Sequence, residues 1–511
     1  MSSLEKGQNV SDPDVSTKEH APNVEHSPER RALERKLLWK IDARMSILIV
    51  IYILNYIDRN NAAAARNRGF SADLHLKGQE FPTLLSILYV GYILMQVPSN
   101  MLLNYMGRPS LYLPGAMIIW GVISCLTGIT NDFTGALLTR FFLGFVEAAF
   151  FPGALFLLSK WYTRREIGLR TALLYCGNII SNAFGSLMAS GILAGMGGKL
   201  GHAAWRQMAI LHWYYYQLQT HAIILTLNHE EGSLTVFIAI IAIFVLPDFP
   251  TTSKWLSPEE RELALLRLEE DVGVGDQAET ETGGPFHGLV LAVTDWKVWW
   301  FAFALTAQVV ALSFNAFFPT LTQTLGYSPT VTLLLCAPPF AVAAVAAFAL
   351  ARHSDKVGER CFHMIASFAL GLVGFIIAIS TMNTAARYIS LFLMAQSYAG
   401  FVVMYTWMSN SFPRPPSKRA VALALMNAFS QLGNISGMVE HELGELGANF
   451  FTRIIRVAEW SAAWGSIADR FPSTTIIMCL LFRVFLQMEN KKLEKEEQER
   501  GITTPGFRYV L

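Results

Sequence analysis

Residues 45–65 read MSILIVIYILNYIDRNNAAAA. A bilayer-crossing helix needs about 20 mostly apolar residues, and this run has that length, yet Asp58 and Arg59 close its apolar part. A second run, Phe133 to Leu158, holds Arg140 and Glu147 inside it. An ionisable side chain at mid-membrane costs roughly 2.5–3.5 kcal/mol on insertion scales, so such residues are rare, usually paired, and turned towards an internal pathway. Two acids and two arginines in two such runs point to a route for a charged solute, protons, or both.

Working outward, further apolar runs occupy 82–105, 110–129, 168–195 and 232–247, then 297–324, 330–351, 361–380, 385–409, 419–437 and 473–488. With 45–65 and 134–158 that makes six, a polar gap, and six; the sixth and twelfth are short. The 511 residues are 52% hydrophobic and 15% charged, against about a quarter charged for a soluble protein. The formal net charge of +1 carries no signal for nucleic acid. Cys125, Cys176, Cys336, Cys361 and Cys479 lie in or beside apolar runs without CxxC spacing, so they read as small hydrophobes rather than disulfides or metal ligands. His441-Glu442 and His229-Glu230 lack the second histidine of a zinc-protease helix, and no Gly-rich nucleotide loop is present. No metal and no bound cofactor are expected, and the chain does not read as an enzyme.

Lys and Arg set the orientation. Arg30 to Arg44 precede the first run, Lys160 to Arg170 separate the fourth and fifth, Lys254 to Arg267 follow the sixth, and Arg352, Lys356, Arg360, Arg414, Lys418 and Lys491 to Lys495 mark alternate loops in the second half. Arg66, Arg68 and Lys77 run against the pattern. The positive-inside rule then places both termini and the central loop in the cytoplasm. The expected organisation is a disordered tail (1–43), a six-helix bundle (44–247), a cytoplasmic loop (248–296), a second six-helix bundle (297–488) and a tail (489–511). Within the loop, Ser257-Pro258-Glu259-Glu260 has capping-box order and opens a short amphipathic helix.

Six plus six spans around a cytoplasmic loop resembles the major facilitator superfamily. Asn55-Tyr56-Ile57-Asp58-Arg59-Asn60-Asn61 resembles the signature of its anion:cation symporter branch, as do Pro98-Ser99-Asn100 with Gly107-Arg108-Pro109, and Arg140 to Glu147 followed by Phe151-Pro152-Gly153. Ser354-Asp355-Lys356-Val357-Gly358-Glu359-Arg360 resembles the superfamily's loop between spans eight and nine. Ser411-Phe412-Pro413-Arg414-Pro415 resembles the fungal allantoate and nicotinate permeases. Asn104 stands where many superfamily members carry Asp, a change that the fungal subgroup shares.

The resemblance implies an all-α membrane protein of 12 spans that carries a small organic anion (allantoate, nicotinate, pantothenate or a similar carboxylate) with protons, by alternating access. It implies Arg59 as the substrate's carboxylate ligand, Asp58 and Glu147 as proton-coupling acids, and Arg140 as the residue that tunes them. Gly107, Arg108, Asp355, Lys356, Gly358 and Arg360 would form the gating loops. From the residues themselves, Asn55 shares a helical face with Arg59. Polar stripes at Tyr89, Tyr92 and Gln96, at Gln308 and Asn315, and at Asn427, Gln431 and Asn434 could line the pathway or glue helices together. Asn178, Ser181 and Asn182 form a weaker stripe. Arg140 and Glu147, two turns apart, are each expected to meet a partner on another span. The chain is expected to act as a monomer in the plasma membrane. A non-transporting nutrient sensor, or an inactive gene-model product, is the alternative.

Two stretches depart from the resemblance: Gln207–His229, and Met438 to about Val457. Both read as retained intron sequence, with real insertions as the alternative. The second, with Glu440, Glu442, Glu445, Arg453 and Arg456, is expected to lie outside the bilayer and to shorten the twelfth span.

Overall fold

The computed structural model describes residues 28–66, 73–78, 80–195, 231–272, 286–312, 314–315, 318–412, 415–446, 457–499 and 508–510. The insert 207–229 lies outside these, as do Pro413 and Arg414. In the first half the helices are α1 (Pro28–Met45), α2 (Ile47–Arg66), α3 (Glu80–Met106), α4 (Pro109–Thr127), α5 (Phe133–Glu147), α6 (Phe150–Ser159), α7 (Ile167–Gly195) and α8 (Glu231–Val245). α9 (Pro258–Val272) and α10 (His287–Thr294) link the halves. The second half holds α11 (Trp296–Leu312), α12 (Phe318–Gln323), α13 (Pro329–Val357), α14 (Cys361–Ser380), α15 (Thr384–Ala395), α16 (Ser397–Ser411), α17 (Pro416–Leu446) and α18 (Val457–Glu499).

Among the described residues, six spans are long and apolar enough to cross a membrane by themselves: 83–106, 109–127, 133–159, 334–357, 361–380 and 384–411. α10 and α11, bent by 69°, together give a seventh. Leu94, Ile119, Phe142, Phe237, Val345 and Ile376 are exposed on outward faces, an apolar surface suited to lipid. The fourth and tenth spans differ from the rest. They are 78% buried, against 28–39% for the other four, so they run through the centre.

The halves repeat one another. Each central span is broken midway, α5 from α6 and α15 from α16. The first break has a local cause: Pro152 has no N–H to give to the Ala148 carbonyl. α3 packs on α17 and α13 packs on α7, while α6 meets α17 and α16 meets α7. The interface between halves is therefore built from equivalent spans exchanged across a pseudo-two-fold axis.

Several segments differ from expectation. Residues 28–43 are helical rather than a disordered tail: Leu37, Ile41 and Met45 are buried along one face of α1, and Arg30–Glu270 and Lys40–Glu260 tie α1 to α9, both at 2.5 Å. In span seven α11 ends at Leu312 and α12 begins at Phe318, with Ser313, Ala316 and Phe317 outside the described residues. Of the second atypical stretch, Met438–Leu446 continue α17 and residues 447–456, with Arg453 and Arg456, lie outside the described residues; Val439, Glu440, Leu443, Glu445 and Leu446 include good helix formers, and extending a helix costs far less than nucleating one. α18 runs unbroken through Glu499, and Tyr509 returns to bond the Asn490 side chain. At α9 the capping box is complete: Ser257 Oγ accepts from the Glu260 N–H, and the Glu260 carboxylate accepts from the Ser257 N–H, each at 3.2 Å.

Candidate functional site

The site starts with two glycines. A Cβ on Gly144 of α5 would collide with the Leu88 carbonyl, and one on Gly91 of α3 with the Phe141 carbonyl. Without Cβ atoms the two backbones meet, which draws the second and fourth spans together beside α2. Consecutive residues on a helix point about 100° apart, so Asp58 and Arg59 part company. Arg59 turns to α5 and donates from Nε and Nη2 to Glu147 Oε2, at 3.0 and 2.9 Å. Its guanidinium lies between two rings, 4.6 Å from the centre of Tyr92 and 5.0 Å from that of Tyr56. Arg59 is 8% exposed and Glu147 is fully buried. Replacing hydration by a carboxylate and two π-faces is what makes such a buried cation tolerable.

Arg140 donates from Nη1 to the Arg59 carbonyl at 3.1 Å. Both charged residues of α5 thus find partners on α2. Asp58 faces the other way, accepting from Ser124 of α4 at 3.1 Å and from Thr235 of α8 at 3.0 Å.

Several buried polar atoms on the helices of the two halves have no hydrogen-bond partner of good geometry: Asn55 Nδ2 and Glu147 Oε1 at the pair itself, both amide atoms of Gln96 on α3, Gln308 Oε1 on α11 and Asn427 Nδ2 on α17. Buried polar groups are normally satisfied, so these atoms have hydrogen-bonding capacity to spare. Tyr89, within electrostatic reach of Arg59, completes the α3 face. Not all expected residues join it. Asn315 lies past the end of α11 and donates to Asn182 of α7 at 3.4 Å. Gln431 is occupied within α17: its Oε1 accepts from Asn434 at 2.8 Å, and its Nε2 donates to the Asn427 carbonyl at 3.3 Å. In the weaker stripe, Ser181 and Asn182 both bond Asn178.

The residues expected to form the gating loops lie at the face that carries the described ends of the chain. Gly107 and Gly358 adopt positive φ, 64° and 71°, which suits glycine. Arg108 and Lys356 are exposed. Asp355 Oδ2 accepts from the Leu169 N–H at 2.6 Å, at the start of α7, where a carboxylate suits the helix terminus. Its Oδ1 pairs with Arg360 at 2.6 Å, and Arg360 donates to the Arg164 carbonyl. On the same face Arg419 donates to the Ser159 carbonyl, and Asn100 donates to the Ala420 carbonyl. The halves are locked together on this face.

Sequence reading missed Tyr56, Ser124, Thr235 and Tyr405. Tyr56 had a signal, lying three residues before Arg59 on one helical face. The two hydroxyls on α4 and α8 had none, since lone Ser and Thr residues in apolar runs are ordinary.

Comparison with known proteins agrees with this architecture. Residues 48–438 match the Major Facilitator Superfamily. The chain is 29% identical to the MFS-type transporter cnsO of Penicillium expansum, over 94% of this chain and 91% of that protein. It is 29% identical to a protein of Agrobacterium vitis named "Putative tartrate transporter", over 79% of this chain and 87% of that one. The fold also matches the solved proton:xylose symporter XylE, with a TM-score of 0.57 over 87% of this chain and 96% of that chain at 15% identity, a likeness of fold alone. The chain therefore belongs to the major facilitator superfamily, as a multi-pass membrane transporter of twelve spans in two bundles that moves a small molecule by alternating access, and it is not an enzyme.

Proposed function

We propose that the protein is a proton-coupled symporter of a small organic anion, with Arg59 as the carboxylate ligand and Glu147 as the proton-carrying acid. The observation that carries this reading is the buried Arg59–Glu147 pair, set among unpartnered amides. An arginine fork is the side chain best matched to a carboxylate, yet here an internal carboxylate holds it. Protonation of Glu147 cancels that attraction and releases the guanidinium to a substrate carboxylate. Loss of the proton on the other side restores the internal pair and expels the anion. Proton and anion thus enter and leave together, and the pathway returns empty with its charges paired. The motifs resembling the anion:cation symporters support the same reading, as does the name of the Agrobacterium vitis relative, without fixing which carboxylate is carried. We place both termini in the cytoplasm, on the strength of the Lys and Arg distribution, and the protein in the plasma membrane.

The test is uptake of a panel of labelled small carboxylates by purified protein in liposomes with an imposed pH gradient. Uphill accumulation that collapses with a protonophore is expected. Accumulation indifferent to the proton gradient, or uptake of neutral sugars in preference to every acid, would overturn the proposal.

A further inference from the structure

Asn427, on the α17 side of the interface between halves, has an amide whose orientation is fixed. Tyr405 of α16 donates its hydroxyl to Asn427 Oδ1 at 2.7 Å. Gln431 Nε2 points at the same oxygen at 3.5 Å, and Gln431 is itself held in that sense because its Oε1 accepts from Asn434. Turning the Asn427 amide over would set its NH2 against the Gln431 NH2, donor against donor. The oxygen is therefore consumed and the nitrogen is left over. Asn427 Nδ2 is buried and has no partner, in a side chain only 2% exposed. The Tyr92 hydroxyl is within reach of the Asn427 amide without a hydrogen bond of good geometry between them, and the Tyr92 ring lies under the Arg59 guanidinium. The leftover N–H donors of the second half and the arginine of the first half thus adjoin the same tyrosine.

Resting on the anion-symport reading above, we propose that Asn427 is a specificity-determining residue that reads a hydrogen-bond acceptor on the anion, remote from the carboxylate held by Arg59, and that Tyr405 is its positioning residue. The substrate class narrows to small carboxylates with a second acceptor, such as a carbonyl, a ring nitrogen or a second carboxylate. Such a solute bridges the two halves, Arg59 on α2 and Asn427 on α17, so binding itself favours closure around it. An acid that fills the same volume without the acceptor leaves the amide unsatisfied, which is how a polar site rejects an isostere.

The experiment uses matched probes: pyridine-3-carboxylate against benzoate, and 4-oxopentanoate against pentanoate, each as substrate for the full-length protein in liposomes. The acceptor-bearing member of a carried pair is expected to have a kcat/KM higher by about tenfold or more. In Asn427→Leu that preference should vanish. In Tyr405→Phe the amide loses the shorter of the two contacts that orient it, so the preference should shrink while uptake of the plain acid persists; a purely structural role for Tyr405 would depress both members equally. Preference retained in Asn427→Leu, or both members falling together in Tyr405→Phe, would overturn the assignment. Should Asn427→Leu fail to reach the membrane, Tyr405→Phe decides alone. If neither member of either pair, nor any other carboxylate, is carried, it is the anion-symport reading that fails.

Discussion

Arg59 gives two donors, Nε and Nη2, to a single oxygen of Glu147, and Glu147 Oε1 is left without a partner. A fork of two donors is better matched by two acceptors in parallel. A substrate carboxylate that offers both oxygens would be the better ligand, and in the proposed mechanism the internal pair is a placeholder that the substrate exchanges. Arg59→Lys keeps the charge and loses the fork. It should raise the KM for the transported anion by about tenfold or more, in line with the 1.5–3 kcal/mol typical of charged hydrogen bonds, while protein still reaches the membrane. Initial-rate uptake across substrate concentrations measures this. Unchanged KM in both Arg59→Lys and Arg59→Ala would remove Arg59 from the site.

Glu147→Gln imitates an acid that never gives up its proton. The amide fills the same space but cannot neutralise Arg59, so the anion should still bind and exchange. Counterflow of labelled against unlabelled substrate should survive, while proton-driven accumulation should disappear. Uphill accumulation at the parent's level would place coupling elsewhere, with Asp58 the next candidate.

The charged residues that define this site were legible because lipid makes them expensive: Arg59, Glu147, Arg140 and Asp58 stand out in any apolar run. Twelve runs and a capping box at Ser257 were legible for equally local reasons. What sequence could not show was direction. Asp58 and Arg59 are neighbours in the chain and face different helices, a fact set by how α2 rotates against α4, α5 and α8. Asn315 lies beyond the end of α11 and donates to Asn182 of the other half, a partner that spacing does not reveal. The stripe reading shifted at Gln431 because three amides along α17 satisfy one another, leaving only Asn427 with a free donor. Spacing reveals which side chains share a face, but hydrogen bonding decides which are still available.

The close approach of α3 and α5 can be tested through the residue that permits it. Gly144→Ala places a methyl against the Leu88 carbonyl, and backbone cannot swing aside as a side chain would. Overpacking of this kind costs about 1–3 kcal/mol or more. Gly115→Ala on α4 is the control, since a Cβ there meets nothing within 4 Å, and alanine is the better helix former. In detergent, Gly144→Ala should unfold at a lower temperature than the parent, and Gly115→Ala at the same temperature or higher. Equal stability of the two variants would mean that α3 and α5 are not in backbone contact.

Docking of α1 on α9 should depend on pH. Lys40 beside Glu260 holds that carboxyl below its ordinary value, helped by the Ser257 N–H. A depressed folded-state value means that the contribution is fully present above the unfolded carboxyl value of about 4.3 and is lost as pH falls through the folded one. Amide hydrogen exchange in residues 30–45 should therefore be slow and level from neutral pH down to about pH 5, and, once the intrinsic pH dependence is divided out, should accelerate below about pH 4. Glu260→Gln should show faster exchange already at neutral pH and a flatter acid dependence. An acid response identical to the parent's would assign the pH effect to other carboxylates.

The contact at the start of α7 sets how readily the halves part. Asp355 joins Leu169 and Arg360, and Arg360 reaches on to Arg164 of the first half, so one carboxylate links a helix terminus and an arginine across the interface. Asp355→Asn keeps the shape and removes the charge that both partners favour. A charged hydrogen bond is worth about 1.5–3 kcal/mol, enough to move the balance between closed and open forms on this face about tenfold or more. Spin labels at Arg165 and Lys356, both exposed and on opposite halves, would report it in a cysteine-free background. The parent should show mainly the short inter-label distance, and Asp355→Asn a larger long-distance population. Arg360→Gln should move the distribution in the same direction, because it removes the other end of the link. If the distance distribution is the same in the parent and both variants, the lock lies in the contact between Arg419 and Ser159 instead, and Arg419→Gln becomes the variant that should open this face.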